Sequence, residues 1–340
     1  MKSKAKRTLY IILSVFLICC TLYFFKEGKN LVKTTKNINY LYFIPQFIFI
    51  FSAIVINSYL NMSLIQHVGL KLYWNEWIPL GFVNSLANLI FPAKSGTMVK
   101  AFYLKKKYSF EISKNFTLLL LTTFIAYLTV FFLTGTFLFF IRILNNSNEI
   151  VINKFSSNFP IPLLDLFVII MFSIPAIGIS LLIFLNSKID NKSLDPQNTK
   201  TKISFFAVSL LQGSIQLGSN KNIAIKIFTC TFLNYLVILG MLYWGFLAVN
   251  IHLNISQLIL INLFFSLQSF VNFLPGNIGI QELILTVSSG LIGGSFSDGL
   301  IVAAIIRLAS LIEILLLGSI SYKILDINKI LSQKTSSRNG

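Results

Sequence analysis

Apolar residues run along this chain in long blocks separated by short polar stretches. Six blocks are long enough to cross a bilayer, which takes about 20 apolar residues in a helix. They are Leu9–Phe25, Leu41–Ile65, 116–141, Leu163–Leu185, Ile223–Val249 and Leu300–Ser321. Two further apolar stretches, 79–99 and 256–294, are broken from within. Residues 84–96 read NSLANLIFPAKSG and residues 268–279 read QSFVNFLPGNIG, so each holds an Asn, a bulky apolar pair ending in Pro, and a Gly four residues later. Proline removes a backbone donor and glycine frees the backbone, so Pro92 with Gly96, and Pro275 with Gly276 and Gly279, end a helix where they stand. Inside hydrocarbon such a break is tolerated only where protein or a water-filled cavity covers it. The pattern predicts a re-entrant helical hairpin at each break. Ile203, Phe206, Ala207, Leu210, Leu211 and Leu217 recur at three- and four-residue steps, which predicts an amphipathic helix lying in the interface.

Charge orients these elements. Lysines cluster beside apolar blocks, at Lys2, Lys4 and Lys6 with Arg7, at Lys100 and Lys105–Lys107, and at Lys188, Lys192, Lys200 and Lys202. Such clusters mark the cytoplasmic side. If 79–99 crossed the membrane, the five lysines between Lys100 and Lys114 would face outside against one glutamate, Glu111. A hairpin turning at Pro92–Gly96 keeps both flanks inside. The second stretch then enters from outside and returns there near Asp298. Two broken helices entering from opposite faces make an inverted repeat, the arrangement that surrounds many transport sites. The expected fold is an all-α, multi-pass membrane domain over 1–340, with six spans, two hairpins and both termini cytoplasmic. Its halves are 40–186 and 223–322, joined by a linker and interfacial helix at 187–222.

Composition agrees and narrows the function. About 55% of the 340 residues are hydrophobic and 11% are charged, against roughly a quarter charged in soluble domains. The net charge of +17 lies in juxtamembrane clusters that attract anionic lipid, so no nucleic-acid partner is expected. Cys19, Cys20 and Cys230 show no ligand spacing, and His67 and His252 are isolated, so neither a metal nor a cofactor is expected.

A charge at mid-bilayer costs about 2.5–3.5 kcal/mol on insertion scales, which makes Lys94, Glu282, Arg307 and Glu313 candidates for a role. A half-helix starting in the membrane points unpaired N–H groups and a positive dipole end at whatever lies beyond it. Ser95 and Thr97, with Lys94 and Lys100, suit phosphate or carboxylate oxygens at the first break. Asn272, Asn277 and the backbone of Gly276 and Gly279 offer a similar nest at the second, where Glu282 and Arg307 are placed to pair. Asn84 and Asn88 share one helical face, as do Gln268 and Asn272. Glu313 reads as structural.

At these residues the chain resembles the lysylphosphatidylglycerol synthase transmembrane region, or flippase-like, family. LPGNIGIQE (Leu274–Glu282) is similar to the family's Pro-Gly-x-x-Gly-x-x-Glu element, and Arg307 falls where the family has an arginine in the following helix. PAKSGT (Pro92–Thr97) is similar to a Pro-x-Arg-x-Gly-Glu element, with Lys94 for the arginine and Thr97 for the glutamate. The resemblance implies movement of a lipid headgroup between leaflets of the cell membrane. The substrate class it implies is an anionic lipid, either a phospholipid or a polyprenyl-phosphate-linked intermediate. Two alternatives stand beside it. One is a membrane transferase acting on lipid-linked substrates. The other is a non-catalytic subunit working with a membrane-protein partner or a second copy of the chain.

Overall fold

The structure, a computed structural model, describes residues 38–91, 95–145, 169–177, 180, 221–268, 275–291 and 294–332. Every regular element among them is helical. A 3-10 turn at Tyr40–Tyr42 leads into α1 (Phe43–His67), followed by α2 (Trp74–Ile90), α3 (Ser95–Tyr108) and α4 (Ile112–Asn145). Then come α5 (Lys221–Ala248), α6 (Ile255–Leu267), a 3-10 turn at Pro275–Asn277, α7 (Ile280–Leu291), α8 (Phe296–Ile324) and α9 (Ile327–Ser332). Among the described residues four helices are long and apolar enough to cross a membrane: α1, α4, α5 and α8. The expected span at Leu9–Phe25, the linker and the interfacial helix at 203–217 lie outside the described residues. So does most of Leu163–Leu185, of which 169–177 is helical and packs Met171 and Phe172 near Gly135 of α4.

Local chemistry sets the boundaries. Phe91 is extended (φ −111°, ψ 146°), as a residue preceding proline must be, and α2 therefore stops at Ile90. Asn254 and Gln257 form a capping box at the start of α6, and Ser295 and Asp298 form another at the start of α8. Each satisfies backbone N–H groups that the first helical turn leaves free.

The two larger apolar cores among the described residues lie at opposite ends of the long helices, and a small third one joins Leu138 of α4 to Ile259 of α6. The first gathers Leu60, Leu64 and Ile65 from the end of α1, Ile223 and Ile227 from the start of α5, and Leu325 just past α8. Leu80, Val83, Tyr103 and Leu104 of α2 and α3 pack into it. The second gathers Ile50 from the first half of α1, Leu242, Phe246 and Val249 from the end of α5, and Val302, Ile305 and Ile306 from the first half of α8. Ile261, Phe265 and Leu285 of α6 and α7 pack into it. Helices α1 and α5 therefore run antiparallel, joined at one end by Asn39 donating to the Ala248 carbonyl at 3.0 Å. The α2–α3 pair and the α6–α7 pair serve opposite ends of one bundle.

One boundary differs from expectation. The sequence pattern places the first hairpin at 79–99 with the basic block as its flank, but α3 carries that block as its own second half. Lys100 is buried, and the exposed Lys105 and Lys106 extend away from the core. Helix α3 can absorb the lysines because their long stems run along apolar surface while their amines reach polar partners.

Candidate functional site

Helices α2 and α3 form a hairpin fastened at both ends. At the tip, the Gly96 N–H donates to Asn88 Oδ1 at 2.8 Å, and the Ser95 hydroxyl donates to the carbonyls of Ala87 (3.1 Å) and Phe91 (3.2 Å). A Cβ on Gly96 would stand 1.9 Å from the Asn84 carbonyl oxygen, so only glycine lets the second limb start this close to the first. At the base, Lys107 and Tyr108 both donate to the Glu76 carboxylate, and the Tyr103 hydroxyl reaches it at 3.4 Å. Burial pushes the Glu76 carboxyl up, but hydrogen bonds from Lys107 and Tyr108 outweigh burial and hold its pKa below the ordinary value.

The second tip is held from outside. Gly276 (φ +58°), Asn277 (φ +55°) and Gly279 (φ +87°) turn through left-handed backbone, which glycine and asparagine adopt most readily. Arg307 of α8 reaches across and takes most of the polar groups this turn exposes. It donates to the carbonyls of Gly276 (2.8 Å) and Asn277 (3.2 Å) and forms an ion pair with Glu282. A second hydrogen bond to Glu282 runs from Nη2 at 3.1 Å. The same Glu282 oxygen, Oε2, also accepts from the Gly279 N–H at 2.8 Å, closing the start of α7 as an acidic first-turn residue does.

The two tips meet. A Cβ on Gly276 would lie 3.1 Å from Leu89 Cδ1 and 3.7 Å from the Leu89 carbonyl, one residue before α2 ends. Around this junction lie two cavities sharing a wall on α1. A cavity of about 370 Å³ between α1 and the first hairpin is lined by Asn57, Asn61, Trp77, Asn84, Asn88 and Lys100 among others. One of about 490 Å³ takes its walls from the middle of α1, α4, α5 and α8, with Gln268 and Gln281 from the second hairpin. Asn57 and Asn61 line both. Lys100 donates to Asn61 Oδ1 at 2.9 Å, and Asn57 donates to Asn234 Oδ1 at 3.1 Å. A polar line thus runs from Lys100 past α1 to α5.

Lys100 is the one charged side chain among the residues lining the two cavities. No described carboxylate pairs with it. Lysines so buried are ordinarily paired with an acid; here the partner is an amide, and the charge stays uncompensated.

Of the residues singled out in the sequence, Lys100, Asn84, Asn88 and Gln268 line the cavities. Glu282, Arg307, Gly276, Asn277 and Gly279 assemble at the second tip. Ser95 and Gly96 are committed to closing the first tip, and Thr97 is half-buried on α3. Pro92, Lys94 and Asn272 lie outside the described residues, while Pro275 opens the 3-10 turn. Neither the Gly96 nor the Gly279 N–H waits for a ligand, because Asn88 and Glu282 take them. Glu313 is buried in α8 with no protein partner for either carboxylate oxygen. The sequence reading passed over Asn57, Asn61 and Asn234. Asn57 and Asn61 carried a signal: two amides four residues apart on one face of an apolar span.

A family model for the lysylphosphatidylglycerol synthase transmembrane region matches residues 10–318. The chain belongs to that family. It is a multi-pass membrane protein of a family tied by name to lipid metabolism, and the match runs through both hairpins and all four long helices. No curated protein and no solved structure matches it.

Proposed function

We propose that this family member moves an anionic lipid between leaflets, passing the headgroup through the chamber between the hairpin tips. The two hairpins dip into the bilayer from opposite faces, as halves (40–186 and 223–322) of an inverted repeat. The observation that carries the reading is Lys100: a buried cation without a described carboxylate partner, lining the cavity between α1 and the first hairpin. Such a charge is costly in a membrane unless an anion completes it. A phosphate oxygen does so while the acyl chains remain among the exposed apolar side chains of the long helices. Glu282 and Arg307 balance each other and fix the second tip, leaving Lys100 to meet the substrate. The basic ends of the first hairpin hold both its limbs at the cytoplasmic surface.

Leaflet exchange of a fluorescent phosphatidylglycerol in proteoliposomes tests this. The wild-type chain should exchange the probe faster than protein-free vesicles. Lys100→Met should lower the rate by about tenfold or more, the loss of one charge-assisted contact, while changing stability by less than about 1 kcal/mol, since it removes a buried charge rather than half of an ion pair. Exchange by the wild type no faster than by empty vesicles, or unaltered in Lys100→Met, removes the proposal. Exchange that appears only with a co-purified second protein favours the subunit reading instead.

A further inference from the structure

We infer that Glu313 is a proton-binding site, and that lipid passage through this chain is coupled to proton uptake and release there. The coupling rests on the lipid-moving role proposed above, whereas the proton site itself does not.

Glu313 is isolated. It is 6% exposed, and neither carboxylate oxygen has a hydrogen-bond partner. Helices α7, α2, α1 and α5 pack against α8, and the ionisable groups they bring are engaged elsewhere. Glu282 of α7 is held by Arg307, and Glu76 of α2 by Lys107 and Tyr108. On α1, Tyr59 meets Trp77 edge-on and His67 ends the helix. On α5, Tyr235 bonds to Thr134, Cys230 belongs to the first core, and Lys226 and Tyr243 are exposed. A carboxylate left alone in an apolar interior is costly as an anion. A metal ion asks for several oxygen ligands, and no group of metal-ligating side chains gathers among the described residues. A proton asks for one oxygen, which Glu313 alone supplies.

Its place gives that proton a way out. Ile306, Ser310 and Ile314 of α8 line the larger cavity, of about 490 Å³. Glu313 precedes Ile314 in sequence and stands roughly 60° round the helix from Ser310. Its oxygens are closed off in this structure, so a turn of α8 by about that angle separates a sealed carboxyl from one open to cavity water.

The same helix touches both hairpins, on either side of Glu313. Arg307 grips the second tip. At Gly318 the helix runs close against α2, where a Cβ would stand 2.9 Å from Leu86 Cβ. Charge appearing at Glu313 draws the side chain towards water and turns a helix on which both hairpins lean. In that step the carboxyl O–H bond breaks, the carboxylate keeps the electron pair, and a cavity water leaves with the proton as hydronium. Reprotonation reseals the site.

Dicyclohexylcarbodiimide adds to a protonated carboxyl in apolar surroundings and spares carboxylates in water. Peptide mapping of the full chain in lipid nanodiscs should find the adduct on Glu313 and not on the exposed Glu111, forming severalfold more slowly at pH 9 than at pH 6. In proteoliposomes a one-unit pH difference, in one of its two directions, should speed phosphatidylglycerol exchange severalfold over equal pH, within the bias of about tenfold that one unit places on one proton. Glu313→Gln, which cannot release a proton, should bring that ratio to one, and Glu313→Asp should restore part of it. No adduct on Glu313, or labelling equally fast at both pH values, overturns the proton site. A gradient response kept in full by Glu313→Gln overturns the coupling. Should that variant fail to fold, a wild-type rate indifferent to the gradient overturns it as well. Labelled Glu313 in a chain that exchanges no lipid would instead sink the transport role and leave the proton site standing.

Discussion

The two hairpins share a plan but are fastened differently. The first holds itself: Glu76 ties the end of α3 to the start of α2, and Asn88 ties the start of α3 to the end of α2. The second relies on a neighbour, because Arg307 on α8 gathers Glu282 and two carbonyls of its turn. In the second hairpin the charges cancel in holding the backbone. In the first, the structural charges sit at the base, and Lys100 is left facing the chamber with only an amide for company. The cation at the second tip is thus paired with a carboxylate, while the buried cation of the first hairpin is bonded to an amide.

The sharpest break should come at Arg307. Arg307→Ala leaves Glu282 half-buried and unpaired with two carbonyls unmet, and should cost about 3–5 kcal/mol, read as a fall in the thermal midpoint in detergent. If Arg307→Ala instead matches wild type, the second tip does not depend on α8 and the contrast fails.

Glycine substitutions sharpen the contrast further. Gly96→Ala places a methyl group 1.9 Å from the Asn84 carbonyl and should cost about 3 kcal/mol by overpacking. Gly279→Ala meets nothing within 4 Å, so it carries only left-handed backbone strain of about 1–2 kcal/mol. Equal losses from the two would mean that the first tip is not closed by steric fit.

The smallest effect belongs to Glu76. Its folded pKa is depressed, so its contribution is complete above the unfolded carboxylate pKa and disappears as pH falls through the folded value. The advantage of wild type over Glu76→Gln should be about 1 kcal/mol at neutral pH, since Lys107 is partly exposed, and should vanish in acid. Thermal unfolding at pH 7 and near pH 3 checks the sign; a gap that widens in acid contradicts the base lock.

Hydrophobic run length was enough to place α1, α4, α5 and α8, because crossing a bilayer demands a continuous apolar helix that no tertiary contact can substitute. Proline before glycine was enough to place both tips, since backbone sterics act over neighbouring residues. The Glu282–Arg307 pair was legible too, because uncancelled charge in an apolar chain needs a counter-charge and few were on offer. The chamber was not. Asn57 and Asn234 are far apart in sequence, and each reads alone as an amide bonding to its own helix. The cost of a buried polar atom is settled by what packing brings opposite it, so only the assembled bundle shows which amides found partners, and that Lys100 meets the Asn61 amide beside a cavity.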